Sequence, residues 1–282
     1  MHPCRARGAV RWTALRTLSA ALLAAGPLAA QGVPAAPPPA HSFAIAEWNT
    51  ENGLPSNVVR DVRQTPDGFL WLASYEGLVR FDGVAFHAFG DADIPGLPRA
   101  SFRRLAVDRA GALWAASETG GVVRLAGGKW TVFTTRQGLV SDRVTALLPD
   151  PDGSVWIGTR AGISRIAGGR VTRLSLPAGE PVPAVTALAP DGGGGLWIGT
   201  LAAGVLHVHG GVVTHVTRRD GLGDDRVTAL RVGPDGAVWV GTFAGVARIA
   251  DGRVTRPGEG GELHPSPVND LLPDAEGNWW LA

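Results

Sequence analysis

Apolar residues in this chain fall in runs of four to eight, bounded by Gly- and Pro-containing turns, and they alternate with a period of two rather than 3.6. One such passage, "PDPDGSVWIGTRAGISRI" from Pro149 to Ile166, returns almost unchanged at Gly233 to Ile249 as "GPDGAVWVGTFAGVARI". Aligning all copies on the tryptophan gives Trp71, Trp114, Trp156, Trp197, Trp239 and Trp280, spaced by 43, 42, 41, 42 and 41 residues. Each copy holds an apolar run (Val144–Asp150, "VTALLPD"), a turn and a tryptophan run ("VWIGT"). A further run ("GISRI"), a Gly-rich turn and a last run ("VTRLSL") follow. The pattern predicts four short strands per unit.

Within the tryptophan run, Leu70, Leu72 and Ser74 share one face and Trp71 and Ala73 the other, so both faces are apolar or small and both must be covered. Four-stranded sheets repeated about every 42 residues and apolar on both sides are blades of an all-β propeller. Five full blades and part of a sixth are expected. Each tryptophan is expected to staple one blade to the next, and the residue two further on (Ala73, Ala116, Gly158, Gly199, Gly241, Ala282) is small, as close sheet approach requires. The segment Phe43–Asn49, "FAIAEWN", resembles a fourth strand and is expected to close the ring as a clasp. Because the sequence stops just after the sixth tryptophan run, it is expected to be part of a longer protein.

Composition changes the picture mainly at the N-terminus. Four arginines (Arg5, Arg7, Arg11, Arg16) precede an apolar run from Leu18 to Ala30, which reads as a secretory signal peptide over residues 1–30, cleaved after Ala30 or near Ala35. An uncleaved anchor is the alternative. A Pro-rich spacer occupies residues 31–42, and the propeller takes 43–282. The expected location is extracytoplasmic, in the periplasm. Cys4 is the only cysteine, so the exported part carries no disulfide. Removing four arginines and no acid takes the formal charge from +1 to −3, which argues against nucleic acid as a partner.

The stretch "WNTENGLPSNVVRDVRQTPDGFLWLASYEGLVRFDGVAFHAF", Trp48 to Phe89, resembles the two-component regulator propeller repeat. Its core is an apolar strand, D-x-x-G, x-L-W-[ILV]-G-T and G-[LIV]; five copies match it and a sixth begins it. The second copy, "DRAGALWAAS", lacks the G-T, and in the fourth, "DGGGGLWIGT", four glycines stand in for the D-x-x-G turn. The resemblance implies the sensor region of a membrane-bound histidine kinase or diguanylate cyclase, homodimeric when full-length. The membrane would then be met only through segments C-terminal to this chain.

Several constellations invite chemistry. His207, His209 and His215 lie in one hairpin, but a Gly210–Gly211 turn puts His215 on the opposite face, leaving a bare H-x-H pair, read as solvated outer-blade histidines rather than a metal site. Asp150 and Asp152 lack the glutamate of a calcium loop, and Gly192–Gly195 lacks the Lys-Ser/Thr of a phosphate loop. Neither metal nor cofactor is expected. A sialidase-like enzyme is disfavoured by Asp-to-Gly spacing and a single tyrosine, Tyr75. A streptogramin-lyase-like one is disfavoured because its tryptophan strand typically runs into a Glu-bearing pattern where this chain has "VGT". No catalysis is therefore expected within this chain. What remains is a ligand surface: on the rim after the tryptophan strand stand Tyr75, Glu118, Arg160, Leu201 and Phe243, different in every copy. Arg136, Arg160 and Arg219 add positive charge suited to an anionic or sugar-like small molecule or oligosaccharide. The alternative functions are a stand-alone exported propeller binding carbohydrate or protein, and a propeller lyase or glycosidase.

Overall fold

The structure, a computed structural model, describes residues 46–90, 92–94, 96, 101–257, 266–274 and 276–282. Everything below concerns the compact unit Asn49–Ala282. Blade 1 consists of β1 (Val59–Gln64), β2 (Leu70–Ser74), β3 (Gly77–Phe81) and β4 (Phe86–Phe89), and blade 2 of β5 (Phe102–Val107), β6 (Leu113–Ser117), β7 (Val122–Ala126) and β8 (Lys129–Phe133). Blade 3 holds β9 (Val144–Pro149), β10 (Val155–Thr159), β11 (Gly162–Ala167) and β12 (Arg170–Arg173). Blade 4 holds β13 (Val185–Pro190), β14 (Leu196–Thr200), β15 (Val205–His209) and β16 (Val212–Val216). Blade 5 is β17 (Val227–Val232), β18 (Val238–Thr242), β19 (Gly245–Ala250) and β20 (Arg253–Thr255); β21 (Leu271–Pro273) and β22 (Trp279–Leu281) begin a sixth.

The all-β propeller architecture expected from the repeat is therefore present, with antiparallel order first-to-fourth strand in each complete blade. The second copy, despite lacking its G-T, pairs in the same register as the others: Ala106 faces Trp114 as Leu148 faces Trp156. First strands of successive blades lie side by side at the inside of the array. The signal peptide, the Pro-rich spacer and Phe43–Ile45 of the expected clasp lie outside the described residues, and the rest of that segment, Ala46–Asn49, is not in a strand.

The core is a series of interfaces between blades rather than one central mass. Trp71, only 2% exposed, packs with Leu105, Leu113 and Val123 of blade 2 and meets Trp130 edge-on at 6.2 Å. Trp114 joins Val144, Val155 and Ile157 of blade 3, and Trp156, Trp197 and Trp239 repeat the arrangement against blades 4, 5 and 6. Trp280 does not: it is 60% exposed and staples nothing among the described residues, because no further blade lies against its face. Where sheets converge, an added Cβ on Gly158 would sit 2.7 Å from Val185 of the next blade, which is why that position stays small.

The D-x-x-G turn does more than reverse the chain. The indole N–H of Trp114 donates to Asp108 at 2.8 Å, that of Trp156 to Asp150 at 3.0 Å and that of Trp280 to Asp274 at 3.0 Å, while Thr65 accepts from Trp71. In blades 1 to 3 the first turn residue thus satisfies the indole donor of the staple six residues later, whereas blade 5 has Gly233 there, with no side-chain acceptor to offer. The fourth copy differs from the sequence expectation: Asp191 holds that first place and Gly194 the fourth, so the D-x-x-G turn is kept and the glycines do not replace it. Asp191 has taken other partners.

Candidate functional site

The rim residues are held by the turns between second and third strands, whose backbones bond to residues just before each first strand: Glu118 N–H to Ser101, Leu201 to Ala184 and Phe243 to Arg226. Tyr75, Leu201 and Phe243 are exposed there, as an open rim predicts. The first strands set what these residues meet. In blades 3 and 5 the second residue of the first strand is a threonine that donates to the next blade's backbone, Thr145 to Val185 at 2.7 Å and Thr228 to Val268. In blades 1 and 2 it is Arg60 or Arg103, and these side chains turn outward to the rim.

Arg60 lies over the Tyr75 ring at 3.5 Å and reaches Glu118 of blade 2, also at 3.5 Å. Glu118 accepts from the Ser101 hydroxyl at 2.7 Å and from Arg103 at 3.5 Å. The Ser101 hydrogen bond, aided by the two guanidinium charges, holds the Glu118 carboxyl below its ordinary range, so it is an anion and not an acid catalyst at neutral pH. Arg226 repeats half of this motif in blade 5, 4.3 Å over Phe243 and paired to Asp224 at 2.7 Å.

Immediately inward, the same strands line the inner channel. Its third-position residues are Asp61, Arg104, Ala146, Ala187, Ala229 and Asp270, and its fifth-position residues Arg63, Ala106, Leu148, Ala189, Arg231 and Leu272. Blades 3 and 4 are wholly apolar at these places, and the charge lies in blades 1, 2, 5 and 6. Arg63 pairs with Asp61 at 2.9 Å and Arg231 with Asp270 at 2.9 Å. Burial pushes the Asp61 carboxyl up, against the pull of Arg63, Arg104 and the Leu105 N–H. A cavity of about 600 Å³ opens here between Arg63, Leu148, Leu188, Arg231 and Trp280, and a smaller one beside it reaches Asp61, Arg104 and Thr186. The Thr186 hydroxyl is buried without a partner among the described residues, whereas its counterparts Thr145 and Thr228 are bonded.

Of the residues singled out in the sequence, Tyr75 and Glu118 are brought together through Arg60, and Phe243 sits apart with Arg226. Arg136, Arg160 and Arg219 do not form a cluster: each is exposed, on a different blade or the short helical turn after it (Thr135–Gln137, Arg218–Asp220), and no contact joins them. Sequence reasoning missed Arg60, Arg103, Arg104, Arg63 and Arg231. The signal was present, since "VTAL" recurs in three first strands and is replaced by "VRDV" and "FRRL" in the first two.

The hairpin of blade 4 has the expected register: His209 faces Val212, His207 faces Thr214 and Leu206 faces His215, so His215 points away from the other two. The H-x-H pair is not bare, however. Asp191 stands against it, 3.1 Å from His207 Nε2 and 2.5 Å from His209 Nδ1.

The two-component regulator propeller family model matches the chain at residues 53–76, 138–161 and 221–244. These are two-component regulator propeller repeats. Each segment runs from the turn that leads into blade 1, 3 or 5 through its first strand and tryptophan strand to the rim turn. Among solved structures, the chain is similar to the extracellular domain assigned to a hybrid two component system of B. thetaiotaomicron (21% identity, TM-score 0.73, covering 84% of this chain and 34% of that one). It is also similar to the extracellular domain assigned to a one component system of the same organism (18%, TM-score 0.63, covering 81% and 33%). A third likeness is to virginiamycin B lyase from Staphylococcus aureus (15%, TM-score 0.65, covering 79% and 77%). At these identities the likeness is one of fold, and the chain spans about a third of the length of the first two. No curated protein matches the sequence. Among the described residues no helix is long and apolar enough to cross a membrane.

Proposed function

We propose that this chain is the extracytoplasmic ligand-sensing propeller of an envelope signalling protein, and that its ligand is a small anionic or acidic-sugar molecule held in the inner channel, beside the charged rim of blades 1 and 2. The observation that carries the reading is the uneven charge on a repeated frame, concentrated in blades 1, 2, 5 and 6 and absent from the channel positions of blades 3 and 4. Arg60, Arg63, Arg103, Arg104 and Arg231 outnumber Asp61, Glu118 and Asp270 there, while blades 3 and 4 present only apolar or small side chains at the charged third and fifth places. A net positive, half-apolar cavity of this volume suits a polar ligand with one apolar face, and the unpaired Thr186 hydroxyl offers it a hydrogen bond. The N-terminal basic–apolar segment supports export, and the repeat family supports coupling to a kinase or cyclase output that works as a homodimer. A ligand drives such a switch only by binding its two arrangements unequally.

Two measurements test this. Thermal melts of the chain with neutral oligosaccharides and with uronate- or sulfate-bearing ones should show stabilisation by the acidic set alone, lost in Arg104→Ala. Stabilisation by neutral sugars only, or equal stabilisation of the variant, overturns the site. The coding sequence 3′ of codon 282 tests the architecture: a membrane helix and output domain support it, and an immediate stop leaves a stand-alone exported propeller.

A further inference from the structure

Blade 4 departs from the repeat at several places that meet at one spot. In blades 1, 2, 3 and 5 the third-strand residue paired with the tryptophan is arginine (Arg80, Arg124, Arg165, Arg248); in blade 4 it is His207, opposite Trp197. Two residues on, Asp82, Ala126, Ala167 and Ala250 are answered by His209. The third turn residue, Asp67, Ala110, Asp152 or Asp235 elsewhere, is Gly193, and the fifth, Phe69, Ala112, Ser154 or Ala237 elsewhere, is Gly195. Both glycines leave room for the cluster. A Cβ on Gly195 would collide with the Asp191 carboxylate, and one on Gly193 would come 3.0 Å from the His209 ring.

We infer that Asp191, His207 and His209 form a binding site for a divalent transition-metal ion of the zinc class on the outer part of blade 4. Two imidazole nitrogens and one carboxylate oxygen, all within 4.8 Å of one another, are the ligand set such ions prefer, with an open position left for water. At metal–ligand distances of 2.0–2.2 Å the ligand atoms stand roughly 3.4 Å apart. Asp191 Oδ2 and His207 Nε2 are already at 3.1 Å, and His209, 53% exposed, is free to swing outward. The turn that the repeat already builds aims the carboxylate. As at Asp108 and Asp274, Oδ1 of Asp191 is occupied by two turn N–H groups, here those of Gly193 (2.9 Å) and Gly195 (2.5 Å), and Oδ2, which in those blades takes the indole N–H, faces the histidines. His207 is fixed by stacking on Trp197, with ring centroids 3.9 Å apart and 7° between planes. Metal binding replaces the two imidazole–carboxylate hydrogen bonds, and the neutral rings carry their proton on the other nitrogen. Ca²⁺ and Mg²⁺, which favour all-oxygen shells, do not suit this set.

The test is titration of the tag-free chain with Zn²⁺ by calorimetry and with Co²⁺ by visible absorption, near pH 7.5 and again near pH 5.5. Expected are one Zn²⁺ per chain, no competition from excess Ca²⁺ or Mg²⁺, and weaker apparent binding at the lower pH, as for any metal site whose ligands must be deprotonated. His209→Ala should lower affinity by at least about tenfold. Asp191→Asn should do the same, since the amide oxygen still caps the turn but the second oxygen is gone. His215→Ala, on the opposite face, should bind as wild type. Absence of stoichiometric binding in the folded wild type, or undiminished binding in His209→Ala, overturns the inference. If Asp191→Asn fails to fold by circular dichroism, His209→Ala decides alone.

Discussion

Truncating a tryptophan to alanine should destabilise the propeller in proportion to what lies across the next interface, and Trp114 and Trp280 make the sharpest pair. They occupy the same repeat position, but Trp114 is 3% exposed and Trp280 60%. Burying an indole removes about 150–250 Å² from water, worth at most about 4–6 kcal/mol at 25 cal/mol/Å². Truncation of a buried Trp costs about 3–5 kcal/mol. Trp114→Ala belongs at the upper end, because it opens a void against Phe133 and Ile157 and leaves the buried Asp108 carboxylate one donor short. Trp280→Ala, mostly solvated already, should cost about 1 kcal/mol or less. Urea unfolding followed by far-UV circular dichroism reads the difference. With a slope of about 3 kcal/mol/M, Trp114→Ala moves the midpoint down by roughly 1.3–1.7 M and Trp280→Ala by under about 0.4 M. Equal shifts, or a Trp114→Ala midpoint close to wild type, would refute the view that the core is a row of interfaces stapled by these rings.

Gly204→Ala should be far worse than Gly153→Ala, because the first adds a Cβ 2.2 Å from the Val216 carbonyl and the second points into open space, although both have positive φ. About 1 kcal/mol is expected for Gly153→Ala and clearly more for Gly204→Ala by the same urea assay. Burial pushes the Asp191 carboxyl up, but hydrogen bonds from His207, His209, Gly193 and Gly195 outweigh it and hold the pKa at about 2. A folded-state pKa below the unfolded value of about 3.9 gives stability that is present above pH 4 and lost as pH falls toward 2. With chelator present, wild type should therefore exceed Asp191→Asn in stability at neutral pH and converge with it near pH 2; parallel curves throughout would refute the coupling.

Most of the frame was legible because its signals are local. A period-2 run with a tryptophan and a small residue two places on reports both a strand and its two covered faces, and the Gly210–Gly211 turn alone put His207 and His209 on one face and His215 on the other. What was not legible depends on how blades sit beside one another. Arg136, Arg160 and Arg219 share a direction along their blades, yet spacing in sequence says nothing about the distance across a rim, and they do not converge. Trp280 follows the repeat pattern but has no neighbouring blade to staple among the described residues. The turn aspartates read as turn formers, because nothing in the four-residue turn shows that an indole N–H six residues later needs an acceptor.

The two candidate sites share one kind of signal, which only a repeat protein supplies. A position occupied several times in one chain gives its own estimate of what the frame demands, so a departure needs a cause other than folding. Threonine before the small channel residue in blades 3 to 5 does a folding task, bonding the next blade in two of the three. Arg60 and Arg103 give that task up, and their heads meet at Tyr75 and Glu118 instead. Arginine opposite the tryptophan covers its ring in blade 3 and pairs with the third turn residue in blades 3 and 5; His207 stacks on Trp197 and turns instead to Asp191, the first turn residue. Departures that serve folding would be scattered, each repaired by its nearest neighbour. At these two sets of positions the departures are grouped, and in each group the side chains that left the frame touch one another.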